Sequence, residues 1–452
     1  MPEKSMTIDS WLHTRFTCPA CGNVHTIPTE VVVIEEGALK KVPSVLKRIG
    51  LNGKGLLVAD KLTFQAAGRE VERVLKQNDV GIDVLLLDDP VKADERALKH
   101  VAERITLEHR FLLAVGSGTI NDIVKRTGFE AGLPYLVCPT APSMNGYTSS
   151  VAAMTINGLK QTLEAHPARA VIADVEVVAQ APIAMIRAGL GDLLSKSVSL
   201  ADWKLAHRIR GGFYCPLPSE MVASITQKCS EHAAGIGRGE RTAIRELMEG
   251  LILSGFSMVV AGSSSPASGG EHLISHYWDM AAEEDGRPHA LHGAQVGVAT
   301  LVTAKLYEIL SQWTPDRIDV DALVAAHEPW DAVDARLRSE HGGNYVAVRK
   351  EAKASYLSGE VLRGELTKIK QEWDEIWSDL SGVLRPFSEI KTVLKKAGAP
   401  IQVADLGLDH TALRAAFLGA KDIRARYTVL DFAHELGLLI PLADRVIEES
   451  GV

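Results

Sequence analysis

Asp192, His272 and His292 are the residues of this chain best suited to holding a metal ion. Asp192 lies in Gly189-Leu190-Gly191-Asp192-Leu193, His272 in Gly269-Gly270-Glu271-His272-Leu273-Ile274-Ser275-His276, and His292 in Leu291-His292-Gly293-Ala294-Gln295. Two imidazoles and one carboxylate bind a divalent cation and leave it a position open for water or substrate. His276 stands four residues after His272, so both fall on one face of a helix. Upstream, Ala114-Val115-Gly116-Ser117-Gly118-Thr119-Ile120-Asn121-Asp122 joins an apolar run to a helical one. Glycines there let the backbone approach a pyrophosphate, and the helix N-terminus offers unpaired N–H groups and the positive end of its dipole. The full dinucleotide fingerprint is not reached, because Asn121 takes the last glycine's place. The residues alone describe a metal-assisted enzyme with a nucleotide cofactor, acting on a small oxygenated substrate.

Two further segments bear on the nucleotide. Asp60 ends the apolar run Leu56-Leu57-Val58-Ala59. It can accept from ribose hydroxyls, which favours NAD over a 2′-phosphate, or cap the next helix. Thr140-Ala141-Pro142-Ser143-Met144-Asn145-Gly146-Tyr147-Thr148-Ser149-Ser150 follows another apolar run and reads either as a phosphate- and sugar-contacting loop or as a plain polar loop. Cys18-Pro19-Ala20-Cys21-Gly22-Asn23-Val24-His25 has the form of half a zinc knuckle. A structural zinc wants four ligands. Only His13 and His25 are near and there is no second Cys-x-x-Cys, so a tight β-hairpin is the expectation.

The elements that must carry these residues change character along the chain. Strand-like runs at Glu30–Ile34, Gly55–Ala59, Val80–Leu87, Phe111–Val115 and Pro134–Val137 alternate with helical stretches at Pro43–Ile49, Thr63–Asn78 and Ala93–Glu108. Alternation of this kind builds a parallel sheet covered by helices on both faces, with ligands at the carboxyl ends of the strands. From about Pro182 helical patterns dominate, at Ile183–His207, Ser219–Ala234, Glu240–Val260, Glu271–Ala282, Gly293–Leu310 and Asn344–Leu380. The expectation is an α/β Rossmann-like nucleotide-binding domain over residues 1–180 and an all-α metal- and substrate-binding domain over 181–452.

The 452 residues carry 49 basic and 57 acidic side chains, a net charge of −8. That balance argues against a nucleic acid held by bulk charge but not against one small anion. No apolar stretch reaches the ~20 residues of a membrane span, and Met1–Ser10 has no apolar signal core. A cytoplasmic protein without membrane or nucleic-acid partners is expected. Five cysteines, an odd number, speak against a disulfide framework, and Cys138 reads as core.

Taken together in order and spacing, the Cys18–His25 lead-in, Gly116–Asp122, Thr140–Ser150, Gly189–Asp192, Ser264–His276 and His292–Gly297 resemble the bacterial form of sn-glycerol-1-phosphate dehydrogenase. That family lies in the superfamily of glycerol dehydrogenase, iron-containing alcohol dehydrogenase and 3-dehydroquinate synthase. The resemblance implies NAD(P) bound by Asp60, Gly116, Gly118, Thr119, Ile120, Asn121, Asp122, Thr140, Ser143 and Ser149. It implies one zinc or nickel ion on Asp192, His272 and His292, with Asp192, His276 and Asn145 at the substrate. It further implies a small phosphorylated substrate, NAD(P)H-linked interconversion of dihydroxyacetone phosphate and sn-glycerol 1-phosphate, and a homodimer or larger homo-oligomer. Asn145 stands where an Asp is expected, and Ser265 where an Arg is expected. These departures keep open a related polyol or hydroxy-phosphate dehydrogenase, or a non-catalytic nucleotide-binding member.

Overall fold

The computed structural model describes residues 7–156 and 159–452. The chain divides into two compact units. The first runs to Leu193 and takes in Cys215–Ser264 and Lys396–Ala399; the second holds Leu194–Tyr214, Ser265–Lys395 and Pro400–Val452.

In the first unit, β1 (Thr14–Thr17) and β2 (Val24–Ile27) form an antiparallel hairpin, as the sequence leads one to expect. Six strands then build a parallel sheet: β3 (Val31–Glu35), β4 (Lys54–Asp60), β5 (Ile82–Leu87), β6 (His109–Gly116), β7 (Tyr135–Pro139) and, after a hairpin of β8 (Val151–Ile156) and β9 (Leu159–Glu164), β10 (Ala170–Asp174). The order across the sheet is β3-β10-β7-β6-β4-β5. All six strands run parallel, but β5 is added on one side of β4 and β6, β7 and β10 on the other, so the order of addition reverses between β4 and β6, the switch point where doubly wound sheets open a ligand crevice. Strands β7 and β10 are buried throughout, as strands covered on both faces must be. On one face Leu57, Phe111, Leu113, Val115, Leu136 and Ile172 pack with Val42, Leu46, Val71 and Leu75 of helices Val42–Arg48 and Arg69–Gln77. On the other lies helix Gly118–Ala131, which comes close enough at Gly128 that an added Cβ would touch Leu112.

The expected single boundary near residue 180 differs from this division. Helices Leu217–Glu231 and Arg241–Ala261 belong with the sheet, because the second of them packs on β2, β3 and the turn Gly146–Thr148. Two helical stretches are also broken. Ile183–His207 divides at Ser195 into Ile183–Leu194 and Lys196–Arg210. Asn344–Leu380 becomes Tyr345–Ser355, Gly359–Gln371 and Trp373–Ser381, with Gly359 at φ +57°, a value that favours glycine.

Every regular element of the second unit is helical. Helices Gly270–Glu284 and His292–Leu310 pack on each other and are buried along most of their length. Leu273, Leu306, Leu366, Trp373, Phe417 and Phe432 are among the core residues. Among the described residues no helix is long and apolar enough to cross a membrane.

Candidate active site

The switch point of the sheet carries a cleft of about 680 Å³ lined by Asp60, Thr63, Ser117, Thr140, Asp174 and Met185, with others. Asp60 and Thr140, both expected at the nucleotide, thus come together there with Ser117, which the sequence reading passed over. Ser117 is the N-cap of helix Gly118–Ala131, yet its side chain caps nothing. The first-turn N–H groups keep their capacity for an anion. Gly116 and Gly118 admit no larger residue without movement: a Cβ at the first would lie 2.6 Å from Ile120 Cβ, and at the second 3.1 Å from Met144 Cγ. Asp60 also acts as an N-cap, since its Oδ1 accepts from Thr63 N at 2.8 Å and its own N–H donates to Thr63 Oγ1.

The remaining glycine-loop residues do other work. Thr119 is half-buried in the first helical turn, and Ile120 is core. Asn121, Asp122 and Ser149 join an internal network around Lys125, whose side chain is fully buried. Lys125 Nζ donates to Gly146 O, to Ser149 Oγ at 3.1 Å and to Val151 O at 2.9 Å, and it lies 3.4 Å from Asp122 Oδ1. Burial lowers the Lys125 pKa, and the Asp122 carboxylate opposes that shift. Asp122 Oδ2 accepts from Ala153 N, and Asn121 Nδ2 donates to Asp122 Oδ1. The network pins the loop after β7. Lys125 was missed because a lysine one turn beyond Asn121 and Asp122 reads as a solvated helical residue.

That loop brings Asn145 to Asp192. The backbone N–H of Asn145 donates to Asp192 Oδ2 at 2.9 Å, and Asn145 Nδ2 donates to Asp192 Oδ1 at 3.2 Å and to Ser254 Oγ at 3.3 Å. Close backbone approach makes this possible. A Cβ at Gly189 would lie 1.8 Å from Pro142 O, and one at Gly255 would lie 2.0 Å from Thr148 Oγ1. Asp192 is fully buried. Ser143 bonds Tyr147, whose hydroxyl donates to Ala141 O at 2.6 Å.

The histidines belong to the second unit and cluster there. Ring centroids are 5.2 Å apart for His272 and His292, 5.9 Å for His276 and His292, and 6.3 Å for His272 and His276. Nδ1 of His272 pairs with Glu271 Oε1 at 2.7 Å. A histidine held by a carboxylate through one nitrogen presents the other, Nε2, to a cation, which is the usual arrangement behind a metal ligand. His292 opens its helix, with Ser275 Oγ 3.5 Å from its Nδ1. The helix bearing His272 is anchored at its start by Asp202, which accepts from Gly270 N and Val429 N and from Tyr307 Oη. Burial raises the pKa of both Asp202 and Glu271; the Glu271 carboxylate raises that of Asp202 further, while backbone N–H groups and the charges of Lys196 and Arg426 oppose the shift at Glu271. Glu271 was legible as the neighbour of His272. Asp202 was not, because its partners lie on three other elements.

Residues 33–182 match the iron-containing alcohol dehydrogenase family. The glycerol-1-phosphate dehydrogenase [NAD(P)+] of Bacillus licheniformis is 30% identical over 429 residues, covering 93% of this chain and 92% of that one. The chain belongs to the glycerol-1-phosphate dehydrogenase family. It is an oxidoreductase of the iron-containing alcohol dehydrogenase type. The Bacillus subtilis glycerol-1-phosphate dehydrogenase [NAD(P)+] is 38% identical over 288 residues, covering 63% of this chain and 71% of that protein. In fold, this family member is similar to a probable glycerol dehydrogenase from Sinorhizobium meliloti, with a TM-score of 0.62 at 15% identity over 93% of this chain and 97% of that one. The glycerol dehydrogenase of Schizosaccharomyces pombe superposes with a TM-score of 0.59 at 15% identity, covering 98% of this chain and 94% of that one.

Proposed function

We propose that this protein interconverts dihydroxyacetone phosphate and sn-glycerol 1-phosphate with NAD(P)H as the reductant. The observation that carries the reading is the match to a glycerol-1-phosphate dehydrogenase along 93% of the chain. The nucleotide is assigned to the cleft at the β4–β6 switch point, where Asp60, Ser117 and Thr140 offer acceptors and donors for ribose and phosphate. The acid at Asp60 favours NAD, since a carboxylate there repels a 2′-phosphate.

Asp192, His272 and His292 are the proposed ligands of one divalent ion, zinc or nickel. The His272–Glu271 pair supports the fit, because it fixes the tautomer that leaves Nε2 as a lone-pair donor. When bound, such an ion supplies Lewis acidity toward a substrate oxygen. Glu271 orients the His272 ring. Asn145 orients Asp192 through two hydrogen bonds, and His276 is assigned a hydrogen bond to the substrate.

The test is NADH oxidation with dihydroxyacetone phosphate, using chelator-stripped protein refilled with zinc or nickel. Turnover that depends on the added ion is expected and identifies the working metal. Folded, metal-loaded protein without turnover on this substrate overturns the assignment and directs attention to other polyols and hydroxy-phosphates.

A further inference from the structure

The hairpin β1–β2 carries chemistry that the dehydrogenase reading does not use. At its tip, Cys18-Pro19-Ala20-Cys21-Gly22 turns back on itself, with Gly22 N donating to Cys18 O and Cys18 N to Asn23 O, both at 2.8 Å. Gly22 has φ +76°, which glycine adopts without strain. The backbone N–H groups of Ala20 and Cys21 point at the sulfur of Cys18. This turn holds two sulfurs on one side. His25, on β2, places its Nε2 3.2 Å from Cys21 Sγ.

The fourth member comes from far along the chain. Cys215, just before helix Leu217–Glu231, lies with its sulfur 3.8 Å from Cys18 Sγ and 3.8 Å from His25 Nε2. The four ligand atoms all lie within 4.8 Å of one another. A tetrahedral zinc with arms of about 2.3 Å sets its sulfurs roughly 3.8 Å apart. Cys18, His25 and Cys215 are buried, and Cys21 is half-buried. His25 also bonds the backbone carbonyl of Val260. With Nε2 turned to the sulfurs, that bond falls to the other ring nitrogen and gives the imidazole the backbone support typical of a metal ligand.

We propose that Cys18, Cys21, His25 and Cys215 bind a structural zinc ion, separate from any metal used in turnover. Three thiolates and one imidazole fill a tetrahedron, so the site is closed to substrate. The three thiol protons pass to solvent as the ion binds. The ion ties the N-terminal hairpin to Cys215, the residue at which the chain re-enters the first unit.

The experiment compares wild-type protein with Cys21→Ser and Cys215→Ser, purified with reductant and zinc, by elemental analysis and by cobalt substitution. Wild type is expected to hold one zinc equivalent more than either variant. Its cobalt form is expected to show thiolate-to-cobalt charge transfer in the near ultraviolet, a band that nitrogen and oxygen ligands do not produce. That band should persist in His272→Ala and vanish in Cys21→Ser, whose partly exposed position spares the fold. Cys21→His, which restores a ligand atom, should recover the bound equivalent. Equal zinc content in wild type and both serine variants overturns the site. So does a cobalt form without the thiolate band, or a Cys18–Cys215 disulfide in the zinc-supplied protein.

Discussion

Asn145 donates twice to Asp192, through its backbone N–H to one carboxylate oxygen and through its side-chain amide to the other. An aspartate at 145, the residue expected from the family resemblance, keeps the backbone bond but turns a donor into a second negative charge. Two carboxylates at that spacing cannot both ionise freely. Asn145→Asp in metal-stripped protein is therefore expected to lower the unfolding free energy by about 1–3 kcal/mol near neutral pH, and by less in acid, where one carboxyl protonates. Urea unfolding near both pH values checks this, and equal stability of the two proteins throughout would count against the pairing.

Lys125 is buried with three oxygen acceptors and the nearby carboxylate of Asp122. Lys125→Met fits the volume but leaves those groups without their donor. Removing one partner of a buried ion pair costs on the order of 3–5 kcal/mol. The variant should lose about that much in denaturant unfolding, with weaker NAD(P)H binding, because the loop after β7 loses its anchor. A loss below about 1 kcal/mol, the size of an exposed ion pair, would show that water replaces the ammonium.

Glu271 offers a measurement separate from turnover. Glu271→Gln keeps an oxygen near His272 Nδ1 but removes the negative charge behind the ring. Losing such a supporting group typically weakens metal affinity about 10–100-fold. Competition with a chelating dye should reveal that drop for zinc or nickel. An unchanged affinity would remove His272 from the proposed ligand set.

His434 should leave a signature in acid stability. Burial, with Lys421 nearby, pushes its pKa down to about 3 from 6.5; Asp422 opposes this, while His327 and Arg336 add to it. The folded state thus keeps His434 neutral while the unfolded chain takes up a proton below 6.5. Its stabilising contribution is complete above that pH and falls as pH drops toward the folded value, by up to about 1.4 kcal/mol per pH unit. Urea unfolding between about pH 7 and pH 5 should show this slope in wild type and a shallower one in His434→Gln. Parallel slopes would mean that the imidazole is protonated in the folded protein.

Much of this protein is written locally. The sheet strands follow from runs such as Leu56–Ala59 and Phe111–Val115, whose side chains must be covered on both faces. The helix after Gly116-Ser117-Gly118 and the pair His272 and His276 on one helical face follow from spacing alone, because helical periodicity is a short-range property. The Cys18–Cys21 turn is equally local, and its hairpin was legible.

Only the tertiary structure supplied partners from distant parts of the chain. Cys215 joins Cys18 across 197 positions, and Asp202 meets Val429 across 227. Lys125 proved to be the buried centre of a loop anchor because carbonyls of Gly146 and Val151 converge on it. The helices after Cys215 belong with the sheet because Arg241–Ala261 packs on β2 and β3. Such pairings rest on burial and desolvation, which depend on where the whole chain lies, and no local spacing encodes them.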